Sequence, residues 1–107
     1  MAETSDLLIA WTTVDSEATA QRMAREMVNA GLAACVQIDS GVQSVYQWKG
    51  ELCCDQEWRL MVKFLRAKAG ALELFINQQH PYETPEWVVV PAQNVASKYL
   101  AWVHDGS

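Results

Sequence analysis

Apolar and polar positions change period several times along this chain, and each change marks an element. Leu7 to Val14 is apolar and then rich in Thr and Val, which predicts a first strand. Asp15 and Ser16 follow as helix N-cap residues, with Glu17 in the first turn, where a helix N-terminus favours negative charge. Ala20, Met23, Ala24 and Met27 recur at i, i+3, i+4, i+7, and Gly31 closes the amphipathic helix that they predict. From Val36 the period falls to two: Val36, Ile38, Val42, Tyr46 and Trp48 alternate with Gln37, Asp39, Gln43 and Gln47. After Lys49-Gly50 the alternation resumes in Leu52, Cys54, Trp58, Leu60, Val62 and Phe64, opposite Asp55, Glu57, Arg59 and Lys63. This pattern predicts a long hairpin.

The parity of that hairpin sharpens the expectation. A two-residue turn at Lys49-Gly50 pairs Trp48 with Glu51 and puts the two apolar sets on opposite faces. A three-residue loop, Lys49 to Glu51, pairs Trp48 with Leu52 and Val42 with Trp58 on one face. Because a one-residue slip inverts every side chain, the pattern demands the odd loop or a compensating bulge, with Gly41 as its site. On the same parity Cys54 is expected to be packed and Cys53 to be exposed and oxidisable. Farther on, Ala67 to Gln79 predicts a second helix, with Ala69, Leu72 and Ile76 on one face and Leu74 and Phe75 widening it. Trp87 to Val90 reads as a continuous apolar strand covered on both faces, and Asn94 as the cap of a last helix carrying Val95, Tyr99, Trp102 and Val103.

The resulting order is β-α-β-β-α-β plus a terminal helix, an α+β chain of the ferredoxin-like kind. One domain is expected over residues 1–107, with residues 1–6 as a polar tail. Two helices cover one face of a four-stranded sheet, so the other face and the far end of the hairpin stay exposed in a single subunit. Apolar residues there make self-association the physical expectation.

Composition narrows the functional classes. The chain has 107 residues, 50% hydrophobic and 20% charged, which suits a core that needs neither disulfides nor a structural metal. Five Trp residues fit either a thick core or surface buried between subunits. A net charge of −5 and scattered basic residues argue against nucleic acid as a partner. No apolar run is long enough to span a bilayer, and no secretory signal opens the chain, so no membrane role is expected. Cys35, Cys53 and Cys54 form no spaced metal pattern and leave an odd thiol, for which a reducing cytoplasm is the simplest setting.

The candidate chemistry concentrates in His80-Pro81-Tyr82-Glu83-Thr84-Pro85-Glu86. Its two prolines stop a helix and hold an imidazole, a phenol and two carboxylates in a stiff corner before the last strand. A His in such a corner is a metal ligand, an acid–base group or a hydrogen-bonded corner residue. The segment also resembles a motif of the CutA family of divalent-cation-tolerance proteins. Gly31-Leu32-Ala33-Ala34-Cys35-Val36 and Gly41-Val42-Gln43-Ser44-Val45-Tyr46-Gln47-Trp48-Lys49-Gly50 carry the same resemblance, in the same order and spacing.

That resemblance implies a ferredoxin-like subunit in a tight homotrimer, with hairpins of neighbouring subunits paired at sheet edges, in the cytoplasm. It also implies tolerance of copper and other divalent cations. In bacterial members the proposed copper site joins a Cys at the end of the first strand to a His-His pair before Pro-Tyr. Here the strand end reads Ala10-Trp11-Thr12-Thr13 and the first His is Gln79, so His80 is the one ligand carried over. Glu83 or Glu86 would have to add oxygen ligands. No cofactor is required on this reading, with Cu²⁺ or another divalent cation as the candidate ligand.

The other side chains suggest less. Cys35 reads as a small packed residue, His104 as solvated, and Tyr46 and Trp48 as interface residues or a stacking platform. Glu83, Thr84 and Glu86 read as turn caps or as partners across a subunit boundary. No catalytic constellation appears, so an enzyme is not expected. Two alternatives stand beside the cation-tolerance reading: a small-molecule sensor resembling the PII trimers, with ligands in clefts between subunits, and a stable trimeric scaffold.

Overall fold

The structure, a computed structural model, describes residues 5–106; most of the expected N-terminal tail lies outside them. Its elements are β1 (Leu7–Val14), α1 (Glu17–Asn29), β2 (Cys35–Trp48), β3 (Glu51–Leu65), a 3₁₀ turn (Arg66–Lys68), α2 (Ala69–Gln79), β4 (Val88–Pro91) and α3 (Ser97–Gly106). The four strands form one antiparallel sheet in the order β2-β3-β1-β4. This is the α+β, split βαβ plan that the periodicity predicts.

Local chemistry sets the helix ends. The Ser16 hydroxyl oxygen accepts the Thr19 amide at 3.1 Å and caps α1. At its other end Gly31 takes a left-handed φ of 73°, and the Leu32 amide returns to the Met27 carbonyl at 3.0 Å. Helix α2 begins two residues later than the apolar pattern suggests, because Arg66–Lys68 wind as a 3₁₀ turn first. It stops at Gln79 because Pro81 pushes His80 to an extended ψ of 133°. Helix α3 begins at Ser97, so Asn94 and Val95 precede it and Asn94 is not its cap.

The core lies between one face of the sheet and helices α1 and α2. Leu8, Ala10, Val14, Leu60, Val62 and Phe64 meet Ala20, Met23, Met27, Leu72 and Ile76 there, all buried. Helix α3 lies against the other face, where the Lys63 ammonium sits 5.6 Å from the centre of the Tyr99 ring. Ser5 and Asp6 are tied down as well: the Ser5 hydroxyl donates to the Ala92 carbonyl, and Asp6 pairs with His104 at 3.0 Å.

The hairpin resolves the parity question by bulging. The tip is the two-residue turn Lys49-Gly50, with Trp48 opposite Glu51, so the expected pairs Trp48–Leu52 and Val42–Trp58 do not form. Both turn residues have positive φ, 52° and 81°, as a type I′ turn requires. The register shifts between Asp39 and Val42, where Gly41 takes a φ of 73°. On the near side of the bulge Val36 and Ile38 oppose Val62 and Leu60 on the helix-covered face. Beyond it Val42 and Tyr46 oppose Glu57 and Cys53, so Val42, Tyr46 and Trp48 turn to the open face.

Two burial expectations are corrected by the same geometry. Cys54 keeps the helix-side parity but lies past the reach of α1 and α2, so it is exposed, whereas Cys53 is half-buried. Strand β4 is an edge strand whose Val88, Val89 and Val90 are all exposed, because a single subunit supplies no second cover.

Candidate functional site

His80 lies where the end of α2 meets the end of β1, and only 8% of its surface is exposed. Its Nε2 is 2.9 Å from the Thr13 carbonyl and 3.0 Å from Thr12 Oγ1. Its Nδ1 is 3.1 Å from the Tyr82 amide nitrogen. A carbonyl only accepts and an amide N–H only donates, so the proton resides on Nε2 and the Nδ1 lone pair is occupied. Burial pulls the imidazole pKa below its ordinary 6.5, against the opposing pull of the Thr13 carbonyl, Asp15 and Glu57. His80 is therefore a neutral, doubly bonded post that ties the β1 end to the Pro-bounded corner.

The post aims Tyr82 at β3. The two rings lie 4.8 Å apart, and the Tyr82 hydroxyl donates to Glu57 Oε2 at 2.7 Å. Glu57 is the buried carboxylate of the sheet, 7% exposed, on the face to which the bulge turns Tyr46. Burial first, and then the bond to Glu57, drive the Tyr82 phenol well above its usual range. A second pair repeats the arrangement nearer the tip: the Tyr46 hydroxyl donates to Asp55 Oδ2, and that bond raises the phenol to about 12.

These pairs form the floor of an open cleft of about 960 Å³. Thr13 and Asp15 line it from the end of β1, Tyr46 and Trp48 from β2, Asp55 and Glu57 from β3, and Tyr82, Glu83 and Glu86 from the corner. Five carboxylates and no Lys or Arg line the cleft, so its potential favours cations.

The structure thus brings His80, Glu83 and Glu86 to one region but gives them different surroundings, the imidazole buried and the two carboxylates on the cleft wall. Among the described residues no three His, Cys, Asp or Glu side chains are placed to hold one metal ion. The end of β1 carries no Cys: it reads Ala10-Trp11-Thr12-Thr13, and Thr12 Oγ1 and the Thr13 carbonyl lie against Nε2 of the imidazole. As folded, His80 offers no vacant nitrogen, so the corner does not fit a copper centre. Cys35, Cys53 and Cys54 are free thiols. Asp15, Asp55 and Glu57 do not stand out as site residues in the sequence. The signal for Asp55 and Glu57 is Gly41, because a bulge there puts Tyr46 on their face, whereas nothing in the sequence marks Asp15.

Comparison with known proteins places these features in a family. The model of the CutA1 divalent ion tolerance protein family matches residues 8–106. A Pectobacterium atrosepticum protein named divalent-cation tolerance protein CutA is 36% identical over 99 residues, 92% of this chain and 90% of its own. CutA from Synechococcus elongatus PCC7942 superposes with a TM-score of 0.91 at 37% identity, over 95% of this chain and 90% of that one. The same protein complexed with a Bis-Tris molecule gives 0.89 at 35% identity, over 98% and 97%. The periplasmic divalent cation tolerance protein CutA of Archaeoglobus fulgidus gives 0.88 at 25% identity, over 92% and 96%.

Proposed function

The chain belongs to the CutA1 divalent ion tolerance family, and from that premise we propose that it meets divalent cations through the carboxylates of its cleft, with His80 as a structural post. The observation that carries this reading is the contrast between the two candidate donor sets. The imidazole has both nitrogens engaged inside the fold, whereas Asp15, Asp55, Glu83 and Glu86 face an open cleft without a basic neighbour in its lining. Oxygen donors on separate elements bind hard cations weakly and Cu²⁺ without selectivity, so the reading implies modest affinity. A non-catalytic role, a cytoplasmic setting and assembly as a homotrimer belong to the same proposal. The three free thiols support the second, and the exposed apolar hairpin and β4 support the third.

Calorimetric titration of Cu²⁺ against a competing chelator tests it, using reduced wild type, His80→Ala and the pair Asp55→Asn/Glu83→Gln. The expected result is affinity within about twofold of wild type for His80→Ala and a loss of fivefold or more for the carboxylate pair, a difference of about 1 kcal/mol. Binding abolished by His80→Ala alone overturns the assignment.

A second reading has its own support. A cleft of about 960 Å³ is far larger than one ion needs, and it combines aromatic with charged walls as small-molecule sites do. The Synechococcus elongatus relative has been solved with a Bis-Tris molecule. On this reading the cleft holds a small organic cation. Thermal stabilisation by Bis-Tris in wild type, removed in Asp55→Asn/Glu57→Gln, favours it; an unshifted Tm at millimolar ligand excludes it.

A further inference from the structure

We propose that the distal half of the β2–β3 hairpin is a two-register element and that Gly41 selects the register that furnishes the cleft. The inference rests on backbone geometry and is independent of what the cleft binds. In the observed register the bulge between Asp39 and Val42 sends Tyr46 to the face of Asp55 and Glu57. A second register keeps every proximal pair, from Cys35–Lys63 to Asp39–Arg59, and omits the bulge. Val42 then opposes Gln56, Ser44 opposes Cys54, Tyr46 opposes Leu52, and Gln47 opposes Glu51 across a three-residue loop, Trp48-Lys49-Gly50.

The sequence serves this second register well. It unites Val42, Tyr46, Leu52, Cys54 and Trp58 on the face of Leu60 and Val62, which continues the even-numbered apolar alternation of both strands, interrupted at Ser40, Ser44 and Gln56. Its loop places Gly50 at the third position, the left-handed site of a three-residue hairpin loop. Gly50 already has a φ of 81° in the two-residue turn, so it suits both registers. Lys49, a non-glycine at φ 52°, is more relaxed in the second. What distinguishes the two registers is Gly41, whose φ of 73° only the bulged one requires. A Cβ built there meets nothing within 4 Å, so a side chain at position 41 acts on the backbone conformation and not by collision.

Selecting the bulged register also selects the cleft. Without the bulge Tyr46 leaves Asp55, Trp48 passes into the loop, and the β2 wall of the cleft loses both rings.

Cross-strand Hα–Hα NOEs, which are short at non-hydrogen-bonded pairs, test this directly in isotope-labelled full-length protein. Gly41→Val is expected to lose the Val45–Cys54 and Gln47–Leu52 contacts and to gain Ser44–Cys54 and Tyr46–Leu52. Retention of Val45–Cys54 in Gly41→Val overturns the proposal. A second variant covers the case in which the first does not fold. Deleting Ser40 removes the extra residue, so both halves keep their observed pairs with position 41 in regular strand. Gly41→Val combined with deletion of Ser40 is then expected to fold with Val45 opposite Cys54. Failure of that combination to recover the native pairs also overturns the proposal.

Discussion

His80 is the residue at which the composition of the corner and its geometry diverge. The sequence marks it, through two prolines and a family motif, but does not reveal that the Thr13 carbonyl and the Tyr82 amide take both ring nitrogens. Those partners lie on the backbone, 67 residues away in one case, and backbone groups leave no trace in side-chain patterns. The pH dependence follows from the same bonds. Because the folded-state pKa lies below the ordinary 6.5, the unfolded chain takes up the proton first. The contribution of His80 to stability is complete above about pH 6.5 and is lost as the pH falls towards the folded-state value. Guanidinium midpoints at fixed protein concentration are expected to fall between pH 7.5 and 5, and to fall less in His80→Ala. An equal fall in both would mean that His80 is not held neutral. At pH 7.5 His80→Ala is expected to cost about 1–3 kcal/mol, the range for leaving buried polar partners unmet.

At the scale of elements, the helices and strands were largely legible because each shows one period. Ala20, Met23 and Met27 are buried as their spacing implies, and Leu72 and Ile76 follow suit on α2. The hairpin was legible in extent but not in face. Its alternation admits two solutions, an odd loop or a bulge, and side-chain polarity does not separate them. The bulge hides Asp55 and Glu57 from a sequence reading, since both look like ordinary solvent-side residues until Tyr46 is turned towards them. Strand β4 misled for a different reason. An apolar run reports that both faces are destined for cover, not that one chain provides it, and Val88 remains 52% exposed.

The whole molecule is extended for its mass. Its radius of gyration is 15.0 Å, against about 13 Å for a compact chain of this length, and its longest dimension is 47 Å. It exposes 6974 Å², where about 6,000 Å² is usual for 12.0 kDa. On the projecting hairpin Val45 and Leu52, on one face, are 63% and 74% exposed and Trp48, on the other, is 59% exposed, apolar surface that association would bury. Light scattering is expected to give three times the subunit mass for wild type and less for Leu52→Asp; a monomeric wild type would remove the trimer from the account. The central claim is that cations meet carboxylate oxygens while the buried imidazole stays out of the coordination shell. Pulsed electron paramagnetic resonance of wild type and His80→Ala, each loaded with one Cu²⁺ per subunit, reads that shell directly. The two proteins are expected to give the same echo modulation, with no imidazole nitrogen attributable to His80. Imidazole modulation present in wild type and absent from His80→Ala would contradict it.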